Sequence, residues 1–342
     1  MFDNIKPLCD ISIVSVICGN STHSLGSGQA GLTGTGIVLK ADFPALEKIQ
    51  SASLSELMAS SAEGSQLSLD IKLAQMATSD LISLVRTSDL TTHDLVADEL
   101  ETFVDIARVT ARGLQKLNAR VSGAVDHILA ANEYALHILE SEVSKSPSTS
   151  LLQTVWPWPW SLTDAGSDAH RAVLVTTTFQ DVMNLFTIQT SRVVLQCECA
   201  LTKLDRLEEH LHVINDMLSR EHMSITGEHS QVLSELWTML GGNRRRLWNI
   251  DQRLDLLRNV GEYRIRALTH VGRTMRLVLA MSENMEELRL RVATPILVED
   301  RIPIEIQLHA IKASIDRIKE NRRDARERAR KTADEIPLLD GT

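Results

Sequence analysis

The sequence predicts an all-α fold: an elongated antiparallel bundle of long coiled-coil-like helices, preceded by a disordered Gly/Ser-rich N-terminal arm. Three observations carry this prediction. Two heptad seams run for many turns, aromatic residues make up only 4% of the 342-residue chain, and Pro or Gly clusters stand where the seams stop. The first seam occupies positions 103, 107, 110, 114, 117, 121, 124, 128, 131, 135 and 138, where ten of eleven residues are apolar and Thr110 is the exception. Its four-three spacing is that of a coiled-coil a/d stripe, and its many alanines imply close helix approach. The second seam runs from Phe179 through Met183, Phe186, Val193, Cys197, Leu204 and Leu211 to Leu218, broken only by Thr190.

The elements follow in order. Residues 1–42 form the arm; the stretch 19–36 is too rich in Gly, Ser and Thr to bury a core. The bundle proper spans 43–335. A short helix starts at Phe43, with Asp42 as its cap, and ends near Ser60; Gly64 interrupts, and a second segment runs from Leu67 to Val85. Asp89 to Thr92 reads as the start of the first seam helix, and Ser146-Pro147-Ser148 as its end. A Trp/Pro linker fills 146–167. The second seam helix starts near Ser167 or Asp168, and a turn at Ser224 to Gly227 leads into a third helix. Gly241-Gly242 breaks that helix, since each Gly costs about 1 kcal/mol in a helix interior. Pro295 closes it. A fourth helix starts at Pro303, with a stripe of Ile304, Leu308, Ile311, Ile315 and Ile318, and residues 336–342 are a tail. Helices of about 50, 55, 65 and 30 residues would make a rod on the order of 75 to 100 Å long.

The formal charge of −9, from 36 basic and 45 acidic residues, supplies no positive field for nucleic acid, so no nucleic-acid partner is expected. Asp3 and Asp10 stand where a signal peptide wants positive charge, and the low-charge stretch 172–191 is too polar for a membrane span. The expected location is the cytoplasm, with peripheral attachment to a membrane left open. Cys9, Cys18, Cys197 and Cys199 offer no zinc spacing and read as reduced thiols.

The stretches LSLDIKLAQMATSDLISLVRTSDL (67–90), RGLQKLNARVSGAVD (112–126), SELWTMLGGNRRRLWNIDQRLDLLRNVGEYRIRALTHV (234–271) and MEELRLRVATP (285–295) resemble a group of uncharacterised helical, coiled-coil-containing proteins predicted from fungal genomes. The resemblance covers most of residues 43–335 and implies the helical architecture. It brings no activity, ligand or catalytic residue.

No catalytic, cofactor or metal residue is assigned. Gly26 to Gly31 matches G-x-G-x-x-G, but Leu32-Thr33-Gly34-Thr35-Gly36 is a poor helix where a dinucleotide site needs one. The cluster Glu208-Glu209-His210-Leu211-His212 reads as a solvated helix face, because His210 and His212 point about 200° apart on a helix. Three features remain as candidate interaction residues. Trp156, Trp158 and Trp160 alternate with Pro on a stiff extended ribbon, which either caps the bundle end or enters a partner or membrane interface. Arg244, Arg245 and Arg246 form a small basic cluster. Arg322, Arg323 and Arg326 belong to the charged segment 319–331, which is either a solvated helix end compensated by its own acids or a contact for anionic lipid or an acidic partner.

The expected function is that of a non-enzymatic helical-bundle or coiled-coil protein, a scaffold or protein-protein interaction module. Its expected partners are other helical proteins or its own copies. The alternative is a membrane-active or peripheral membrane bundle anchored at an interface by the Trp-Pro segment.

Overall fold

The computed structural model describes residues 41–144, 164–220, 231–240, 250–293 and 302–334. These hold seven helices and no strand: α1 (Phe43–Arg86), α2 (His93–Ser144), α3 (Asp164–Arg220), α4 (Val232–Met239), α5 (Ile250–Arg258), α6 (Val260–Ala293) and α7 (Ile304–Asp334). The expected helical bundle is what forms.

The core is an up-down-up-down arrangement of α1, α2, α3 and α6. Each packs on the next, and α6 closes the ring against α1. Cross-helix contacts fix the directions. Ser68 donates to the Ala111 carbonyl at 3.0 Å while Asn132 donates to Gln50 at 2.8 Å, so α1 and α2 run antiparallel. Thr110 reaching the Lys203 carbonyl and Gln196 reaching that of Gly113 set α2 against α3. Arg289 with Asn184, and Arg264 with Glu208, do the same for α3 and α6. At 57 residues, α3 is about 85 Å long, within the expected rod length.

Both heptad seams close inside this one chain. All twelve seam positions of α3 are buried, and on α2 only Ala131 and Ile138 are half-exposed. Each buried aliphatic or aromatic side chain contributes about 1.5–3 kcal/mol, so these two stripes are a substantial part of a core that α1, α4, α6 and α7 complete. The two threonines that flaw the seams are buried with their hydroxyls bonded to backbone carbonyls, Thr110 to Lys203 and Thr190 to Thr187 at 2.9 Å. Cys197 is a buried seam residue. Burial pushes its thiol up to about 12, so it packs as a small apolar group. Cys199 departs from the reduced-thiol reading: it is disulfide-bonded.

The seventh helix lies in the outer groove between α1 and α2, parallel to α1. Buried Gln307 sets its start. Its Oε1 accepts from the Phe43 amide at 2.9 Å, satisfying a donor that a helix start leaves orphaned, and its Nε2 donates to the Ala41 carbonyl at 2.8 Å. Asp42 caps the same end through the Ala45 amide at 3.0 Å, as the sequence predicts. Phe43 packs edge-on against Phe179 of α3, with ring centroids 5.1 Å apart. One heptad along, Ser314 donates to Gln50 at 2.7 Å and accepts from Asn132, joining three helices through three fully buried polar side chains. Such a network sets register, because a slip would strand each of these groups without a partner.

Two helix boundaries differ from the sequence reading. The expected third helix is three pieces, α4, α5 and α6. Leu240 ends α4 before Gly241-Gly242, and a further irregularity at Asn259 separates α5 from α6. There the helical hydrogen bonds persist, from the Asn259 amide to the Asp255 carbonyl at 3.1 Å and from the Tyr263 amide to the Asn259 carbonyl at 2.8 Å. Residues 241–249, the Ser224 to Gly227 turn, the Trp/Pro linker core and the N-terminal arm lie outside the described residues.

The second correction concerns Gly64, which interrupts nothing. The first helix passes through it without a break from Phe43 to Arg86. A methyl group at Gly64 would clash with Nε2 of His270 on α6 and with Oδ1 of Asn118 on α2. The missing side chain is what allows three helices to meet. Gly64→Ala is therefore expected to lower stability by about 1–3 kcal/mol in urea denaturation, despite the ~1 kcal/mol gained in helix propensity. A more stable variant would contradict this packing.

Candidate functional site

Apolar seams explain most of the interior, so function is sought among the polar side chains that the fold places unusually. Of the expected interaction residues, Trp156, Trp158, Trp160, Arg244, Arg245 and Arg246 lie outside the described residues. Arg322, Arg323 and Arg326 lie on the C-terminal half of α7.

The burial pattern of that half follows from its sequence. In the first half, Gln307, Ala310, Ile311, Ser314, Ile315 and Ile318 are buried at heptad spacing against α1 and α2. Continuing the spacing brings Arg322 and Ala325 to the same face, where the first half has isoleucines. Neither fills the groove. The result is a half-open cavity of about 370 Å³, lined by Met58 of α1, by Val121, Val125 and Asp126 of α2, and by Arg322, Ala325 and Arg326 of α7. Ser61, Ser65 and Ser122 add hydroxyls to its walls.

Four basic side chains of α7 reach across to neighbouring helices: Lys312 to Glu140 at 2.7 Å, Arg317 to Glu47 at 2.7 Å, Lys319 to Glu133 at 2.8 Å and Arg322 to Asp126 at 2.8 Å. Each exposed pair contributes about 0–1 kcal/mol, and the ladder fixes the rotation of α7 more than it stabilises it. Arg323 and Arg326 have no ion-pair partner among the described residues.

Behind the cavity lies the polar junction at Gly64. Ser65, which lines the cavity, accepts a hydrogen bond from Asn118 at 3.4 Å, and Asn118 sits against Gly64 beside His270. His270 is 5% exposed, and neither ring nitrogen has a hydrogen-bond partner. Burial holds its imidazole below the ordinary histidine range; the Glu63 carboxylate opposes this shift and the Arg273 guanidinium adds to it. A neutral imidazole always carries one N–H, so an unsatisfied donor sits in the core. Sequence reasoning passed over His270 because a seam traced through apolar residues skips a polar one.

Within the cluster at 208–212, Glu209 and His212 are exposed as expected, while Glu208 and His210 correct the solvated-face reading. Glu208 meets Arg264 of α6 at 2.6 Å, and His210 pairs with Glu99 of α2. These partly buried groups clamp α3 to both neighbours. Their partners come from distant sequence, which is why a local reading left them in solvent. Among the described residues, no three His, Cys, Asp or Glu side chains are grouped to hold a metal ion, and no helix is long and apolar enough to cross a membrane.

No protein-family model matches the chain, and no curated protein matches it. What the site can do rests on its geometry. It offers an amphipathic cavity beside unpaired guanidinium groups, not an acid-base pair or a nucleophile held by a base.

The buried imidazole has a pH consequence with a definite sign. Its folded value is depressed below 6.5, so as pH falls the unfolded chain takes up a proton that the folded chain refuses. Its contribution to stability is complete above that value and is lost as pH drops below it, with a slope of at most about 1.4 kcal/mol per pH unit. Urea midpoints at pH 7.5 and 5.5 should fall for the native chain and converge for His270→Gln. An equal fall in both would show that His270 is not the titrating group.

Proposed function

We propose that this chain is a non-enzymatic helical scaffold, a rigid rod whose outer faces dock other helical proteins. The observation that supports it best is the exposed pair Arg323 and Arg326 on the C-terminal half of α7; the closure of both heptad seams within one chain weakens the reading to the extent that the seams themselves were the expected binding surface. A seam used internally is unavailable to a second copy, so partners meet the outside of the rod. The C-terminal half of α7 is the favoured outer face, because Arg323 and Arg326 are exposed and unpaired while the groups around them are tied into the bundle. Its complement would be an acidic helix, whose charge steers the encounter and whose register the arginines select.

A second reading, peripheral attachment to an anionic membrane, is supported by the same two arginines and by the Trp-Pro ribbon of the sequence. One pair of measurements separates them. In-cell cross-linking mass spectrometry on the native chain should give cross-links to acidic helical partners concentrated on residues 319–334, and these should be lost in Arg323→Glu/Arg326→Glu with unchanged melting temperature. Cross-links indifferent to the charge reversal would contradict the scaffold reading. Flotation with phosphatidylserine vesicles, abolished by Trp158→Ala with Trp160→Ala, would favour the membrane reading.

A further inference from the structure

We propose that the cavity under the C-terminal half of α7 binds a small anionic amphiphile, a molecule with a carboxylate head and an unbranched apolar body. This inference shares Arg326 with the scaffold reading, but its titration uses a small amphiphile and no protein partner, so the two can fail separately. Three features of the cavity converge on that ligand.

The first is size. About 370 Å³ is within the range of small-molecule pockets and beyond what one ordered water or a packing defect occupies. The second is the wall. Met58, Val121, Val125 and Ala325 give an apolar lining on three helices in a half-open cavity, so the inward side of a ligand's hydrocarbon portion would leave water. Methionine adapts its shape to such a ligand at low cost. The third is charge. Two guanidinium groups line the cavity against one carboxylate, and Asp126 already engages Arg322 at 2.8 Å. Arg326 is left over. Its planar fork is suited to bind a carboxylate through two parallel hydrogen bonds. Neither a neutral lipid nor a cation would use that group.

The sequence places the cavity where it is. An isoleucine at 325 would extend the stripe of Ile311, Ile315 and Ile318 and narrow the groove; alanine leaves it open, and the arginine that follows lines it. A helix selected only for packing would not stop its apolar stripe one turn short of the apolar lining residues that need covering.

Isothermal titration of the full chain with sodium decanoate below its micellar concentration tests the proposal. Saturable binding of one decanoate per chain is expected. Arg326→Gln should weaken it about tenfold, the cost of one charge-assisted contact. Ala325→Leu should weaken it at least about tenfold by narrowing the cavity, and should raise the melting temperature. Decanol and decyltrimethylammonium should bind at least about tenfold more weakly than decanoate. Absence of saturable binding, binding unchanged in both variants, or equal binding of all three amphiphiles would overturn the proposal. A parallel arm with phosphatidylglycerol vesicles separates sources: association with vesicles alone, without monomeric decanoate binding, overturns the cavity site in favour of a surface contact. Thermal unfolding of each variant confirms that a loss of binding is not a loss of fold.

Discussion

At Gly64 the central helix comes close to a polar side chain from each of two neighbours, Asn118 of α2 and His270 of α6, and the alignment of the four-helix core follows from that crossing. On α1 the polar residue Gln50 lies two heptads before Gly64, and on the antiparallel α2 its partner Asn132 lies two heptads after Asn118. One turn from the crossing, the hydroxyls of Ser60 and Thr274 meet at 3.4 Å. The polar layers are thus spaced by the helical repeat, so a register that aligned one would align the others, while Gln50 Nε2 and the His270 ring nitrogens stay without a partner. Apolar seams alone tolerate sliding by a heptad. Polar layers do not, because each unmet group costs about 1–3 kcal/mol.

The first helix carries this role because it is surrounded. It packs against α2, α6, α7 and α5, whereas α3 meets mainly α2 and α6. A helix buried on several sides has no single apolar stripe, and its sequence accordingly reads as irregular. The seams of α2 and α3 were legible because each helix buries one stripe and exposes the rest. Gly64 was misread for a related reason: intrinsic propensity treats an interior glycine as a break, and only the tertiary partners reveal it as a close approach. His270 was invisible to a pattern built on apolar positions. The ion pairs of Glu208 and His210 were equally out of reach, since Arg264 and Glu99 come into range only when α6 and α2 are placed.

The candidate site shows the same division. That residues 319–331 are charged and lack an apolar stripe is plain from the sequence, and so is the candidacy of Arg322, Arg323 and Arg326. Which of them is free is not. The pairing of Arg322 with Asp126 depends on the rotation of α7, fixed at its other end by Gln307 and Ser314. The cavity exists because α7 is held in the groove by its first half while its second half has nothing large enough to fill it. Architecture and site are therefore one consequence of the same helix: order at Gln307 and Ser314, vacancy at Ala325.

The continuity of α1 through Gly64 is the claim on which the rest depends, and hydrogen-deuterium exchange of the native chain tests it directly. The account predicts one slow-exchanging block across residues 57–71, with the amides around Gly64 as protected as those on either side. A fast-exchanging gap between residues 61 and 66, dividing the segment into two shorter helices, would contradict it.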